Sequence, residues 1–109
     1  MHVVIVGCGR VGADLAAGLA DEGHDVVVID KDPAAFAALG ATFNGITIAG
    51  TGIDRDVLKR ADIEKAEVFA AVTSNDNVNI MAAQVARAVF NVPRVVARAN
   101  ERSEERRVG

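Results

Sequence analysis

The fold is decided by the stretch Val3-Val4-Ile5-Val6-Gly7-Cys8-Gly9-Arg10-Val11-Gly12, in which an apolar run leads directly into the pattern G-x-G-x-x-G. Four consecutive apolar residues, all β-branched, are typical of a strand that is buried on both faces of a parallel sheet. After the glycines, Val11, Leu15 and Leu19 recur at helical spacing. The stretch therefore predicts a strand, a glycine-rich turn and a helix in succession.

The spacing of the three glycines is typical of a turn that binds nucleotide phosphates. In such a turn Gly7 allows the tight bend, Gly9 lets the backbone approach a pyrophosphate, and Gly12 lets the helix pack close to the strand. The backbone N–H groups and the dipole of the helix favour a phosphate at its N-terminus. The same glycines also suit a tight corner in a protein without a ligand, but the acid described next favours nucleotide binding.

A second apolar strand, Asp25–Asp30, follows the first helix and ends in an acid. A β-α-β connection of this length makes the two strands parallel neighbours, so Asp30 lies at the same sheet edge as the glycine turn. Asp30 is 18 residues after Gly12, where a dinucleotide-binding fold places the acid that binds the ribose hydroxyls. A carboxylate there repels a 2′-phosphate, which disfavours NADP. Capping of the next helix is the alternative, although Asp32 and Pro33 already supply a cap and a first helical residue.

Two later strands also end in small or polar residues. A short edge strand, Ile46–Ala49, is followed by Gly50-Thr51-Gly52, and a fourth strand over 68–72 is followed by Thr73-Ser74-Asn75-Asp76. Open α/β sheets bind ligands at the carboxyl ends of their strands, so both turns are candidate walls of a nucleotide site. A plain turn and a helix cap explain the same residues, and those interpretations stay open.

Two basic residues follow strands at this predicted edge. Lys31 comes directly after Asp30, and Arg98 ends a fifth strand over 94–98. Each lies either beside the nucleotide or in solvent. Between the fourth and fifth strands, the longest helix is predicted to have an apolar face formed by Val78, Met81, Val85 and Val89.

Together these elements predict an α/β fold, a Rossmann-like doubly wound parallel sheet of five strands in the order 3-2-1-4-5 with helices on both faces. The predicted domain spans residues 1–99. Residues 100–109 contain six charged residues and are expected to form a truncated or frayed tail.

Composition excludes several classes of function. A net charge of −3, with no Trp or Tyr, gives no footprint for nucleic acid binding. No apolar run approaches the roughly 18 residues of a membrane span and no signal peptide is evident, so a cytoplasmic domain is expected. His2 and His24 are too isolated to suggest a metal site, and no nucleophile has an evident base, so no catalytic residue is predicted. Cys8 lies where a helix N-terminus can lower a thiol pKa, but many small residues fit that position.

Several blocks of the chain resemble the regulator-of-potassium-conductance domain, also called KTN or TrkA-N. The blocks are GCGRVG (7–12), VVVID ending at Asp30, GTGIDRDVL (50–58), AVTSNDNVNIMAAQVAR (71–87) and VPRVVAR (92–98). The resemblance covers about residues 2–99. The block from Ala71 to Ile80, which contains Asn79, is the most specific, and it separates this family from a generic dehydrogenase.

The resemblance implies a non-catalytic, cytoplasmic regulatory domain that binds NAD(H), ATP or ADP. It also implies assembly as homodimers into a ring that acts on a membrane potassium channel or transporter. The family pattern assigns the phosphates to Gly7, Gly9, Gly12 and their neighbours Cys8 and Val11, and it gives Arg10 a phosphate contact. A helix-surface ion pair is the alternative for Arg10. It assigns the ribose to Asp30, the adenine side to Gly50 and its neighbours, and the far wall to residues 73–76. Asn79 is also counted among the nucleotide-binding residues. Many family members have an acid after the residue equivalent to Gly50, where this chain has Thr51.

Two other functions compete with this one. The chain could be the cofactor-binding half of an NAD-dependent oxidoreductase, or an interaction domain without a ligand.

Overall fold

The computed structural model describes residues 1–99, in which five parallel strands alternate with helices. The predicted tail, 100–109, lies outside the described residues. The strands are β1 (His2–Val6), β2 (Asp25–Asp30), β3 (Ile46–Ala49), β4 (Val68–Ala71) and β5 (Arg94–Ala97). The α-helices are α1 (Arg10–Asp21), α2 (Arg55–Arg60) and α3 (Asp76–Ala88), and short 3₁₀ helices cover Pro33–Leu39 and Ile63–Lys65.

The sheet has the strand order β3-β2-β1-β4-β5, which confirms the predicted topology. Every pair of neighbours is parallel, and Val6 at the end of β1 lies opposite Ile29 of β2 and Ala71 of β4. The carboxyl ends of these strands are therefore level with one another. The turns after them meet at one edge of the sheet, and the chain direction reverses between β1 and β4.

The core forms two layers because side chains alternate between the faces of each strand. On one face, Val4 and Val6 pack with Phe69 of β4 and Leu58 of α2. On the other face, Val3 and Ile5 pack with buried alanines of α1, namely Ala13, Ala16 and Ala20. Helices thus cover both faces, as predicted. The continuous apolar sequence of β1 is explained by burial on both sides.

Local signals set the ends of several elements. The first helix stops just before Gly23, which has the left-handed φ of +92° expected of a helix-terminating glycine. The side chain of Asp32 accepts a hydrogen bond from the backbone N–H of Ala34 at 3.1 Å and caps the 3₁₀ helix that begins at Pro33. Asp54 caps α2 in the same way, through the N–H of Asp56 at 2.8 Å. The cap predicted at Asp32 and Pro33 is confirmed.

The apolar face predicted for α3 is not its most buried face, although Val85 packs, partly buried, against the core. Met81 and Val89 are 48% and 40% exposed, and the buried residues of this helix are Asn79, Ala82, Ala83 and Ala86. Small side chains let the helix axis approach the sheet closely, so alanine occupies the contact and the larger apolar residues lie at its flanks or in solvent.

Candidate functional site

A cavity of about 720 Å³ opens at the carboxyl edge of the sheet. Its volume falls within the range of natural small-molecule sites, about 300–1,000 Å³. Most of the predicted site residues line it: Gly7, Cys8, Gly9, Arg10, Val11, Asp30, Lys31, Gly50, Thr51, Gly52, Thr73, Ser74, Asn75 and Arg98. Residues separated by as many as 91 positions are thus brought together because the parallel strands end at the same edge.

Three predicted residues do not line the cavity: Gly12, Asp76 and Asn79. The cavity is also lined by residues that were not predicted from the sequence. Three of them, Asp32, Ile53 and Val78, are adjacent in the chain to predicted site residues. Their position just after a strand end was the available signal for Asp32 and Ile53. Val78 was predicted only as part of the apolar face of a helix, because apolar character alone does not distinguish a core wall from a cavity wall.

The glycine turn is shaped by two close approaches of backbone. Gly7 has a φ of +107°, and its N–H donates to the carbonyl of Ile29 at 2.8 Å. A Cβ at Gly7 would lie 2.8 Å from the backbone nitrogen of Thr73, and a Cβ at Gly12 would overlap the carbonyl oxygen of Gly7. Only glycine fits these two positions. Gly12 therefore has the close-packing role predicted from its spacing, without reaching the cavity itself.

Gly9 differs from these two glycines because no atom lies within 4 Å of the position that its Cβ would occupy. It has an ordinary φ of −79° and is the N-cap residue of α1. The protein backbone does not require glycine here. The open space in front of Gly9 belongs to the cavity, where a side chain would compete with any molecule that approaches the turn.

The N-terminus of α1 has no side-chain cap and no acid in its first turn among the described residues. By contrast, Asp32, Asp54 and Asn75 cap the 3₁₀ helix at Pro33, α2 and α3 respectively. The first N–H groups of any α-helix have no partner within the helix. At α1 these groups lie at the cavity wall formed by residues 9–11, so the cavity meets the positive end of the helix dipole.

Asp30 braces the glycine turn. One carboxylate oxygen accepts the backbone N–H of Cys8 at 2.8 Å, and the other accepts the N–H of Asp32 at 2.9 Å. The alternative role of Asp30 as a helix cap is wrong, since Asp32 caps that helix. Each carboxylate oxygen has two lone-pair sites, so the group keeps acceptor capacity toward the cavity that it lines.

Cys8 lines the cavity, but its residue is only 1% exposed and packs within the core layer that faces α1. Burial raises the pKa of the thiol above its ordinary value of 9.0, and the nearby negative charge of Asp30 raises the pKa further. This upward shift of the Cys8 pKa is opposite to the lowered pKa that its position at a helix N-terminus suggested from the sequence. The thiol therefore stays protonated at neutral pH, which works against a reactive thiolate.

The turn after β3 packs tightly against its surroundings. The N–H of Gly50 donates to the carbonyl of Asp30 at 3.0 Å. A Cβ at Gly50 would lie 2.6 Å from a methyl of Val57, and a Cβ at Gly52 would lie 2.5 Å from a methyl of Val6. Gly50 thus lets the turn approach α2 and Gly52 lets it approach β1, while exposed Thr51 between them lines the cavity.

The far wall is organised by the polar side chain of Asn79, which is fully buried. Its Oδ1 accepts the backbone N–H of Thr73 at 2.9 Å and the Thr73 hydroxyl at 2.7 Å. Its Nδ2 donates to the carbonyl oxygens of Thr73 and Arg98, both at 3.0 Å. The predicted ligand contact by Asn79 is wrong for this structure, because the side chain lies beneath the cavity and its hydrogen-bonding groups are engaged by protein.

Charges of both signs surround the cavity. Three cationic residues, Arg10, Lys31 and Arg98, and two acids, Asp30 and Asp32, are among its lining residues. Arg10 is exposed and forms no ion pair with any residue in the range 1–99. The alternative that Arg10 belongs to a helix-surface ion pair is therefore not supported, and its guanidinium remains available to an anion.

The described part of the chain contains no cluster of three potential metal ligands. None of its helices combines the length and the apolar character that crossing a membrane requires.

The strand order and the cavity at the switch point define a Rossmann-like domain. The chain belongs to the TrkA-N domain family, whose model matches residues 3–108. The resemblance seen in the sequence is thereby confirmed.

Curated relatives bear names from potassium uptake. The chain is 55% identical over 98 residues to a Trk system potassium uptake protein TrkA of Streptomyces coelicolor, covering 90% of this chain and 44% of the relative. It is 36% identical over 105 residues to a TrkA homolog of Methanothermobacter thermautotrophicus, covering 96% and 48%. The chain thus spans about half the length of these relatives.

Solved structures share the fold. The TrkA-N domain of inner membrane protein ybaL from Escherichia coli superposes with a TM-score of 0.82 at 24% identity, covering 94% of this chain and 76% of that one. The Kef C-terminal domain of Shewanella denitrificans, described in an AMP-bound form, gives a TM-score of 0.78 at 20% identity, with coverage of 93% and 60%.

Proposed function

We propose that this domain binds an adenine nucleotide, NAD(H) or ATP/ADP, and regulates a membrane potassium channel or transporter through it. The observation that carries the nucleotide assignment is the first turn of α1, which lies uncapped at the cavity behind the open space at Gly9. Helix N-termini with free N–H groups bind phosphate. The glycine turn brings those groups to the cavity without a side chain in front of them.

The adenosine half is assigned to the side of the cavity formed by β2 and β3. The carboxylate of Asp30 is held in a fixed orientation by two backbone N–H groups and accepts further hydrogen bonds from ribose hydroxyls. Its negative charge disfavours a 2′-phosphate, so NADP is the weakest ligand of the set. Thr51, in the turn between Gly50 and Gly52, lies on the adenine side.

The phosphates are assigned to the glycine turn, with Arg10 as the principal side-chain contact. A guanidinium binds phosphate through paired N–H groups, and Arg10 is not committed to an ion pair within the described residues. Lys31 and Arg98 add positive charge at the same cavity. The turn Thr73-Ser74-Asn75 forms the wall beyond the phosphates, next to β5.

Regulation is the role that the relatives support. These relatives are potassium uptake proteins by name, and we extend a role in potassium uptake to this chain. We propose a cytoplasmic, non-catalytic domain that forms homodimers within a ring and meets the membrane only through a transport partner. Such a domain transmits a signal only if a nucleotide binds two assembly states with different affinities, so the partner and the nucleotide must be thermodynamically coupled.

Calorimetry with AMP, ADP, ATP, NAD, NADH and NADP tests the binding step. Asp30→Ala should lower the affinity for NAD about tenfold, and Asp25→Ala should not change it. Both substitutions remove one acid from β2, but Asp25 is exposed at the opposite end of the strand. If the purified protein binds none of these nucleotides, or if the two variants behave alike, the site assignment is wrong.

A further inference from the structure

Asn79 is the one polar side chain that is fully buried within residues 1–99. Burying an amide is costly unless its donors and acceptor are all paired. Here the oxygen accepts two hydrogen bonds from Thr73, and the two N–H groups are divided between Thr73 and Arg98. The network is fully satisfied, which makes it rigid.

The two carbonyls that Asn79 binds belong to different strand ends. The last ladder hydrogen bond between β4 and β5 runs from the N–H of Arg98 to the carbonyl of Ala71 at 2.9 Å. Beyond it the chain after β4 passes through Thr73 into α3, and no further ladder bond joins the two segments in the described residues. The amide of Asn79 bridges this gap, so it fixes the position of Thr73 relative to Arg98.

Thr73 and Arg98 both line the cavity, whereas Asn79 does not. The strand order places them on the β4–β5 side of β1, and it places Asp30 and Gly50 on the β2–β3 side. The glycine turn lies between the two halves. A nucleotide that ends at its first phosphate needs only the β2–β3 half and the turn, while a longer nucleotide must also occupy the β4–β5 half.

We propose that Asn79 is a positioning residue that gives the site its preference for nucleotides extending beyond the first phosphate, by fixing Thr73 and Arg98 for contact with the distal part of the ligand. This inference rests on the proposed nucleotide-binding function. Asn79 itself does not touch the ligand. Its effect should therefore appear as a change in selectivity between long and short nucleotides.

The test compares NAD with AMP by calorimetry on the wild type and on Asn79→Asp. This nearly isosteric change keeps the oxygen that accepts from Thr73 but removes both N–H donors. The affinity for NAD should fall about tenfold, which corresponds to losing roughly one hydrogen bond between the distal part of NAD and the β4–β5 side of the cavity. The affinity for AMP should change less than about twofold. Val92→Ala is the control, because Val92 is buried in the same core layer as α3 but does not line the cavity. It should weaken the fold without changing the ratio of the two affinities.

A second measurement uses the unaltered protein, so it does not depend on the variant folding. The side-chain amide signals of Asn79 and the backbone signal of Arg98 should shift in NMR spectra when NAD binds and should stay in place when AMP binds. Equal losses of NAD and AMP affinity in Asn79→Asp, or equal amide shifts with both ligands, would show a purely structural role and overturn the inference. Equal affinities of the wild type for NAD and AMP would overturn it as well, while leaving the proposed nucleotide binding intact. A wild type that binds neither nucleotide would instead refute the proposed function on which the inference rests.

Discussion

The carboxylate of Asp30 accepts a hydrogen bond from the backbone N–H of Cys8 at 2.8 Å, across 22 positions of sequence. This contact joins the end of β2 to the glycine turn that follows β1, beyond the last paired residues of the two strands. The acid that is assigned to the ribose thus also fixes the turn that is assigned to the phosphates. Both halves of the proposed site are held in register by one side chain.

Asp30→Asn should loosen the glycine turn. An amide side chain can still accept one of the two backbone N–H groups but not both, and the remaining bond loses its charge assistance. We expect the free energy of unfolding to fall by about 1–2 kcal/mol and the N–H of Cys8 to exchange faster with solvent. Urea unfolding and amide hydrogen exchange measure the two effects. Asp25→Asn is the matched control and should change stability by no more than about 0.5 kcal/mol.

Gly12→Ala and Gly18→Ala should have opposite effects, although both lie within α1. A Cβ at Gly12 would overlap the carbonyl of Gly7, which is backbone and cannot move cheaply, while a Cβ at exposed Gly18 would meet no atom within 4 Å. Gly12→Ala should destabilise by about 2–3 kcal/mol through overpacking. Gly18→Ala should raise the free energy of unfolding by about 0.5–1 kcal/mol, because alanine favours the helix and lowers the conformational entropy of the unfolded chain. Denaturant midpoints of the two variants test this, and a stable Gly12→Ala protein would contradict the packing assigned to the turn.

Parts of the fold and of the site could be predicted from the sequence where one physical rule determines the position of a residue. Burial on both faces requires continuous β-branched runs, so β1 and β2 were evident from the sequence. Parallel strands share an edge, so Asp30 and residues 73–75 were correctly placed around one cavity. The buried face of α3 was not predicted, because Met81 is more apolar than alanine but too large for a close helix–sheet contact.

The sequence does not distinguish polar residues that face a cavity from polar residues that support it. Asn79 and Asn75 lie one helical turn apart, yet Asn75 lines the cavity and caps α3 while Asn79 is buried beneath it. Asn79 differs because its side-chain amide also donates to the carbonyl of Arg98 at the end of β5, and the position of β5 relative to α3 is not evident from the sequence. The hydrogen bond from Cys8 to Asp30 was missed for the same reason, since it depends on the relative height of two strand ends.

Gly9→Ala should separate binding from folding. The φ of −79° at Gly9 suits alanine, and its Cβ would meet no protein atom within 4 Å, so stability should change by less than about 0.5 kcal/mol. The added methyl would project into the space proposed for the phosphates, and the affinity for NAD should fall at least tenfold, about 1.4 kcal/mol. Calorimetry and thermal unfolding provide the two measurements. Unchanged affinity in a folded Gly9→Ala protein would place the phosphates somewhere else.

Cys8 should make stability fall at alkaline pH. Burial, and then the charge of Asp30, raise the pKa of its thiol in the folded protein above the ordinary value of 9.0 that the unfolded chain retains. Below pH 9 both states are protonated and the stabilisation from the neutral thiol is fully present. As the pH rises through 9 toward the folded pKa, the unfolded chain releases a proton that the folded chain keeps, so the free energy of unfolding decreases.

Cys8→Ala isolates this effect, because every other titrating group is common to the two proteins. The substitution should cost some stability at pH 7.5, since it removes a buried sulfur, but the difference between the two proteins should narrow steadily above pH 9. Urea unfolding at pH 7.5, 9 and 10 gives the comparison. A difference that stays constant would mean that the thiol is not held neutral by its surroundings. A difference that widens between pH 7.5 and 9 would mean that the folded-state pKa of the thiol is lowered, as a redox-active cysteine at a helix N-terminus requires.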